Sequence, residues 1–259
     1  METSQKPRPA TQAFLGTAPA GPWDRRLGTA FVILSFLVLG AIAPFARLPM
    51  SPMPAFVPAY ESALWICDLL TAVLLLGQFN RSQSPSILVL SCGYLLSSFI
   101  IVPHILAFPA VFAPKGLLGG TNQTVAWLYV FWHICFPLFV LAYSVTAKLE
   151  VRKGWRWSRP GLAICTAIVL VLALVAVFTK LSLHPDGLLP VISVDGHYSR
   201  MVTSGVSPAI LCVIILTLGV LWRNSRGSVL DVWLMVVLSA WIGDVALSVV
   251  VSDTRFELG

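Results

Sequence analysis

Charge is what this sequence has least of. Lys and Arg number 17 and Asp and Glu 11 among 259 residues, or 11% of the chain, where a soluble domain carries about 25%. That is too little to cover a water-facing surface of this size, which excludes a soluble globular domain, a disordered regulator and an ordinary nucleic-acid-binding domain. The net charge of +6 therefore does not point to nucleic acid, because on an apolar chain basic residues mark cytoplasmic loops.

Paired cysteines are missing too. Cys67, Cys92, Cys135, Cys165 and Cys212 all fall inside apolar stretches, where a thiol acts as a small hydrophobe. No disulfide framework and no C-x-x-C metal motif is present. The chain also lacks a G-x-S-x-G elbow, an H-E-x-x-H pair, a phosphate loop and a dinucleotide fingerprint, so no catalytic residue is assigned and the chain reads as a non-enzyme. The sequence names no cofactor. The first 22 residues are polar and rich in Pro and Ala, with no small-residue cleavage site behind the first apolar run. They read as a retained, disordered cytoplasmic tail ahead of one polytopic membrane domain, 23–259.

What the sequence does have is apolar length. AVILMFWYC residues make up 57%, and seven runs reach the roughly 20 residues that cross a bilayer. They cover about 27–46, 55–79, 85–108, 124–147, 161–179, 204–222 and 229–251. Each run is continuously apolar rather than alternating, and lipid requires every backbone amide to be satisfied within its own segment. The expected fold is an all-α integral membrane protein, a bundle of about seven transmembrane helices. Pro103 and Pro137 interrupt the third and fourth helices, each able to kink its helix and free a carbonyl.

Orientation follows the basic residues. With the N-terminus cytoplasmic, Lys6, Arg8, Arg25, Arg26, Arg81, Lys148, Arg152, Lys153, Arg156, Arg159, Arg223 and Arg226 fall inside. Only Arg47, Lys115, Lys180, Arg200 and Arg255 then fall outside, as the positive-inside asymmetry prefers. The basic segment 148–159 can in addition meet anionic lipid heads. Seven crossings from an inside start leave the C-terminus outside.

Ionisable side chains at membrane depth cost about 2.5–3.5 kcal/mol on insertion scales and must face the bundle interior or a wet cavity. Asp231 is set aside, because Ser228-Val-Leu-Asp231 has capping-box spacing at the start of the last helix. Five remain. At about 1.5 Å per residue, Glu61 lies about 9 Å below the outer end of its helix, His104 about 6 Å, Asp244 about 10 Å, His133 about 13 Å and Asp68 about 20 Å. Glu61 and Asp68, seven residues apart, share one helical face. Tyr94, Ser97, Ser98 and His104 form a second stripe, Tyr129 precedes His133 by one turn, and Trp241 and Ser248 flank Asp244.

If these faces meet, an acidic, imidazole-bearing pocket opens toward the outside, with Tyr60, Trp127 and Trp132 as aromatic walls. Three readings stay open on the residues alone: pairs that only fix helix packing, a pocket for a ligand or a proton, and a metal site, for which no ligand spacing speaks. The remaining tryptophans fall mostly near helix ends, where indole settles in the interface.

The stretches Pro44–Pro49, Ala55–Ala63, Asp68–Phe79, Cys92–Leu95, Phe112–Gly119, Ala126–His133 and Phe136–Phe139, together with His104 and Phe108-Pro109, resemble the fourth family of bacterial membrane-associated sensor domains. The resemblance runs from Pro44 to about Ser144, and beyond that rests on hydropathy and the closing Arg255–Gly259. It implies a multi-pass sensory input module of the inner membrane, ahead of a GGDEF diguanylate cyclase or histidine kinase output, with a ligand not established for the family. It carries over Tyr60, Glu61, Asp68, His104, Trp127, Trp132 and His133 only as recurring polar and aromatic positions. The implied partners are the lipid bilayer, that cytoplasmic output and a small ligand, with a homodimer open to it and no nucleic acid. To return the chain to the cytoplasm, an eighth helix has to begin close to Gly259, unless the output is a separate polypeptide. A small-solute or proton-coupled transporter is the alternative that the same buried carboxylates suggest.

Overall fold

The fold is that of a computed structural model, which describes residues 18–45, 55–153, 157, 159–184, 188–194, 197–199 and 201–246. Tail residues 1–17, the far end of the seventh apolar run and everything after it lie outside the described residues. Seven α-helices are present among the described residues: α1 (Pro22–Ile42), α2 (Phe56–Ser82), α3 (Pro85–Ala107), α4 (Asn122–Lys153), α5 (Pro160–Leu183), α6 (Ser207–Asn224) and α7 (Val229–Val245). A two-residue antiparallel pairing, Ser193–Val194 with His197–Tyr198, lies between α5 and α6. Among the described residues six stretches, those built on α1 to α6, are long and apolar enough to cross a membrane. The described part of α7 is 17 residues long.

Several helices outrun the apolar stretches that predict them, because hydropathy marks the lipid boundary while the hydrogen-bond ladder continues past it. α1 begins at Pro22, whose missing N–H suits a first helical position. The Asp24 carboxylate there accepts from the Gly21 N–H at 2.8 Å. Residues 18–20 of the polar start are tied down as well. The Ala20 N–H donates to the Gly227 carbonyl at 2.7 Å and the Val229 N–H to the Ala18 carbonyl at 3.0 Å. α2 runs on through the polar Gln78–Ser82 and stops where Gln83 turns left-handed at φ 56°.

α3 and α4 form the centre. Of the most apolar window of α3, 67% is buried within the protein, against 6% for α1. α3 packs on α2, α4 and α5; α4 also meets α6, α6 meets α7, and α1 leans mainly on α7. Two close approaches fix these contacts. A Cβ on Gly93 of α3 would come within 2.8 Å of the Phe139 Cβ on α4, and one on Gly28 of α1 within 2.7 Å of Val232 on α7. At Pro137 the α4 carbonyl accepts from the buried Thr217 hydroxyl of α6 at 3.2 Å.

The end of the bundle that carries the longer loops closes over α3. There the Leu117 N–H donates to the Leu106 carbonyl at 2.7 Å. Gly116 is left-handed at φ 64°, and a Cβ on Gly116 or Gly120 would stand 2.6 or 2.5 Å from the Ala107 carbonyl oxygen. Glycine is required at both positions for the loop to lie on the helix end.

At the opposite, basic end the capping box of α7 forms. The Ser228 hydroxyl accepts from the Asp231 N–H at 3.1 Å. The Asp231 carboxylate accepts from the N–H groups of Arg226 and Ser228 and from the Ser225 hydroxyl. Its other oxygen accepts from the Tyr143 hydroxyl of α4 at 2.9 Å. Asp231→Ala removes this cap and strands Tyr143, and is expected to cost about 3 kcal/mol. Tyr143→Phe should cost about 1 kcal/mol. Reversible unfolding in mixed micelles measures both, and equal losses would show that the cap, rather than the tie to α4, contributes nothing.

Candidate functional site

Glu61 sits on α2 and His104 on α3, both near the loop end, and both are buried, at 0% and 3% exposed. The Nδ1 atom of His104 lies 3.0 Å from both Glu61 carboxylate oxygens. The Tyr60 hydroxyl donates to the same carboxylate at 3.1 Å from the outer rim of α2. The second imidazole nitrogen of His104, Nε2, is buried without a hydrogen-bond partner among the described residues. Two turns deeper, the Asp68 carboxylate of α2 accepts from the Ser97 hydroxyl of α3. That hydroxyl in turn accepts from the Trp132 indole N–H of α4 at 2.7 Å. The i, i+7 spacings 61/68 and 97/104 thus bring one face of α2 against one face of α3 in register.

A second pair lies across α4. The Nδ1 atom of His133 is 2.9 Å from the Tyr129 carbonyl, one turn back on the same helix. A carbonyl only accepts, so Nδ1 carries the proton. The remaining nitrogen, Nε2, is 3.2 Å from the Asp244 carboxylate on α7, which also accepts from the Tyr129 hydroxyl at 3.1 Å. One proton lies between Nε2 and Asp244, giving either an imidazolium against a carboxylate or an imidazole against a carboxylic acid. Aromatic faces surround this ring. Tyr129 stacks on it at 3.7 Å, and Trp241 of α7 lies 4.5 Å away, tilted by 33°.

The two pairs meet at Trp132. Its ring stands 6.5 Å from His104, 5.0 Å from His133 and 6.0 Å from Trp241. Side chains of α3, α4 and α7 therefore converge on one indole, and α2 is linked to it through the Glu61–His104 and Asp68–Ser97 bonds.

A model of the MASE4 family, described as a membrane-associated sensor, integral membrane domain, matches residues 51–257. The chain belongs to this family. No curated protein and no solved structure matches it. The membrane-associated sensor domain is thus a multi-pass membrane protein, and its family is one of sensor input modules rather than of catalysts.

Within this sensor domain the residues expected from the sequence fall into three places. Tyr60, Glu61 and His104 form one cluster, joined through Trp132 and Ser97 to Asp68. His133 and Asp244 form the other. Trp127 points elsewhere: its indole N–H donates to the Pro190 carbonyl at 3.1 Å and its ring meets Phe131 at 5.6 Å. Phe131 in turn stacks on Phe178 of α5 at 4.3 Å. Five residues separate Trp127 from Trp132, which turns the two indoles about 140° apart around α4. Ser97, Tyr129 and Trp241 complete the network although they read from the sequence only as neighbours. For Trp241 the signal was available, since a tryptophan within a span and three residues from an aspartate has no interface to settle in.

Removing one member of a buried pair leaves the other uncompensated. Glu61→Gln and His104→Gln are each expected to lower stability by about 3 kcal/mol. The double variant should fall short of the sum by about 1 kcal/mol or more. Unfolding of all three in mixed micelles measures the coupling, and strict additivity would mean that the 3.0 Å contact carries none.

Proposed function

We propose that this domain is a sensory input module of the bacterial inner membrane. It takes up a small ligand or a proton in the half of the bundle that carries the longer loops, and passes that event to a cytoplasmic output such as a diguanylate cyclase or a histidine kinase. The observation that carries the reading is the convergence of two histidine–carboxylate pairs, drawn from four helices, on Trp132.

The physical basis is a shared proton. A group that titrates at membrane depth changes the charge of a low-dielectric interior, so its protonation state and the packing around it are coupled. His133 and Asp244 bridge α4 and α7, while Glu61 and His104 bridge α2 and α3. A proton or ligand that binds one packing of these helices more tightly than another shifts their populations by that difference in affinity, and by no more. α7 is also tied at the basic end to the loop that precedes it and to residues 18–20, so a change at Asp244 reaches the basic face along one helix.

The test is made on the full-length protein with its own output. Glu61→Gln, His104→Ala and His133→Ala are expected to hold the output at one level while pH is varied from 5 to 8 and periplasmic extract is added. If all three respond as the parent protein does, the domain is a membrane anchor. A solute flux into proteoliposomes that vanishes in Asp68→Asn would assign transport instead.

A further inference from the structure

Between α1 and α7 lies a cleft of about 170 Å³, lined by Ser35, Phe36, Leu39 and Ile42 on one side and Ser239, Gly243 and Asp244 on the other. α1 lies on the outside of the bundle, and Ala240 and Asp244, the exposed residues of α7, both line the cleft, so it opens sideways. Its α1 wall lies outside the matched residues 51–257.

Asp244 stands apart from its partners in burial. Glu61, His104 and His133 are at most 3% exposed, whereas the Asp244 side chain is 55% exposed. A charged carboxylate facing hydrocarbon costs about 2.5–3.5 kcal/mol unless something compensates it. Its Oδ2 atom takes both the Tyr129 hydroxyl and His133, and Oδ1 has no partner among the described residues.

The remaining polar lining repeats the same polarity. The Ser35 hydroxyl donates to the Phe31 carbonyl and the Ser239 hydroxyl to the Met235 carbonyl, each at 2.8 Å. Both hydrogens are committed to the backbone, and the oxygens present lone pairs alone. The N–H groups of the lining residues belong to helical ladders. The cleft therefore offers acceptors, one of them a carboxylate oxygen, beside an apolar wall.

We propose that this cleft is a laterally entered binding site for a long-chain primary amine, with its ammonium on the free oxygen of Asp244 and its chain along Phe36, Leu39 and Ile42. A primary ammonium supplies three donors and the opposite charge. A phosphatidylethanolamine headgroup carries the same ammonium, but it sits at the interface, whereas Asp244 lies about 10 Å below the outer end of its apolar run, and the lipid would bring a phosphate toward a carboxylate. A free amine has neither obstacle.

The site needs only the cleft. Loss of signalling with binding intact would strike the sensory reading alone, and loss of binding would strike the amine site alone. The experiment is equilibrium binding of isotope-labelled dodecylammonium to the full chain in phosphatidylcholine nanodiscs at pH 7, above the partition into empty discs. One saturable equivalent per chain is expected. Asp244→Asn should weaken it about tenfold. Leu39→Trp, which fills the cleft from α1 without touching the partners of Asp244, should abolish it and carries the test if Asp244→Asn fails to fold. Dodecanol and dodecyltrimethylammonium, which lack the charge or the N–H donors, should not compete.

Three results would overturn the site: unchanged binding in Leu39→Trp, competition by the trimethyl compound, or displacement by phosphatidylethanolamine in the disc. Disulfide cross-linking of two Ala240→Cys chains in native membranes would overturn it as well, assigning the cleft to a second copy.

Discussion

A carboxylate or imidazole at membrane depth has no water to turn to, and the packing of this bundle follows from that. Glu61 lies within reach of His104 and His133 within reach of Asp244 because each alternative leaves a charge in hydrocarbon. The pairs join helices that are neighbours in space: α2 to α3 and α4 to α7. They fix which faces meet more firmly than the apolar surface does, since leucine and valine pack about equally well against lipid and against another helix.

The second constraint is how far those pairs must reach. The α4 and α7 backbones are not drawn into close contact along their length, and the space between them is filled by rings. Trp241 meets Phe136 at 5.0 Å as well as His133 and Trp132, and the Tyr143–Asp231 bond closes the same seam at the basic end. By contrast α3 and α4 approach closely because Gly93 leaves room for Phe139. Both seams carry aromatic and polar contacts, but the α3–α4 seam is tight at Gly93 and the α4–α7 seam is wide. On the wide seam His133 is buried and Asp244 alone of that pair has an exposed edge, the edge that borders the cleft. His104, one turn from the helix end that the loop closes at Ala107, and its partner Glu61 are by contrast buried.

Much of this was legible in the chain. The apolar runs place the helices to within a few residues, and the departures occur where Trp23–Arg26, Gln78–Ser82 and Lys148–Lys153 continue a helix beyond hydrocarbon. Ser228 and Asp231 form the cap that their spacing predicts. The five intramembrane titratable residues stand out by rarity alone, and the i, i+7 spacing of Glu61 and Asp68 gave their common face. Trp127 shows the limit of such reasoning. It resembles Trp132 in depth and type, yet the 140° between them around α4 sends one to Pro190 and the other to Ser97 and the histidines.

Scarcity of charge and continuity of apolar runs thus determined by themselves that the chain lives in a membrane as helices, because the cost of exposing a peptide group or a charge to lipid depends on no particular neighbour. Which titratable group faces which was decided only by the tertiary structure. A helix fixes the angles between its own side chains, but its rotation against the next helix is set by contacts such as those at Gly93, Pro137 and Trp132, made between residues far apart in sequence. The cleft beside Asp244 belongs to this second class: it lies between α1 and α7, which approach closely at Gly28, and no periodicity in either helix records that meeting.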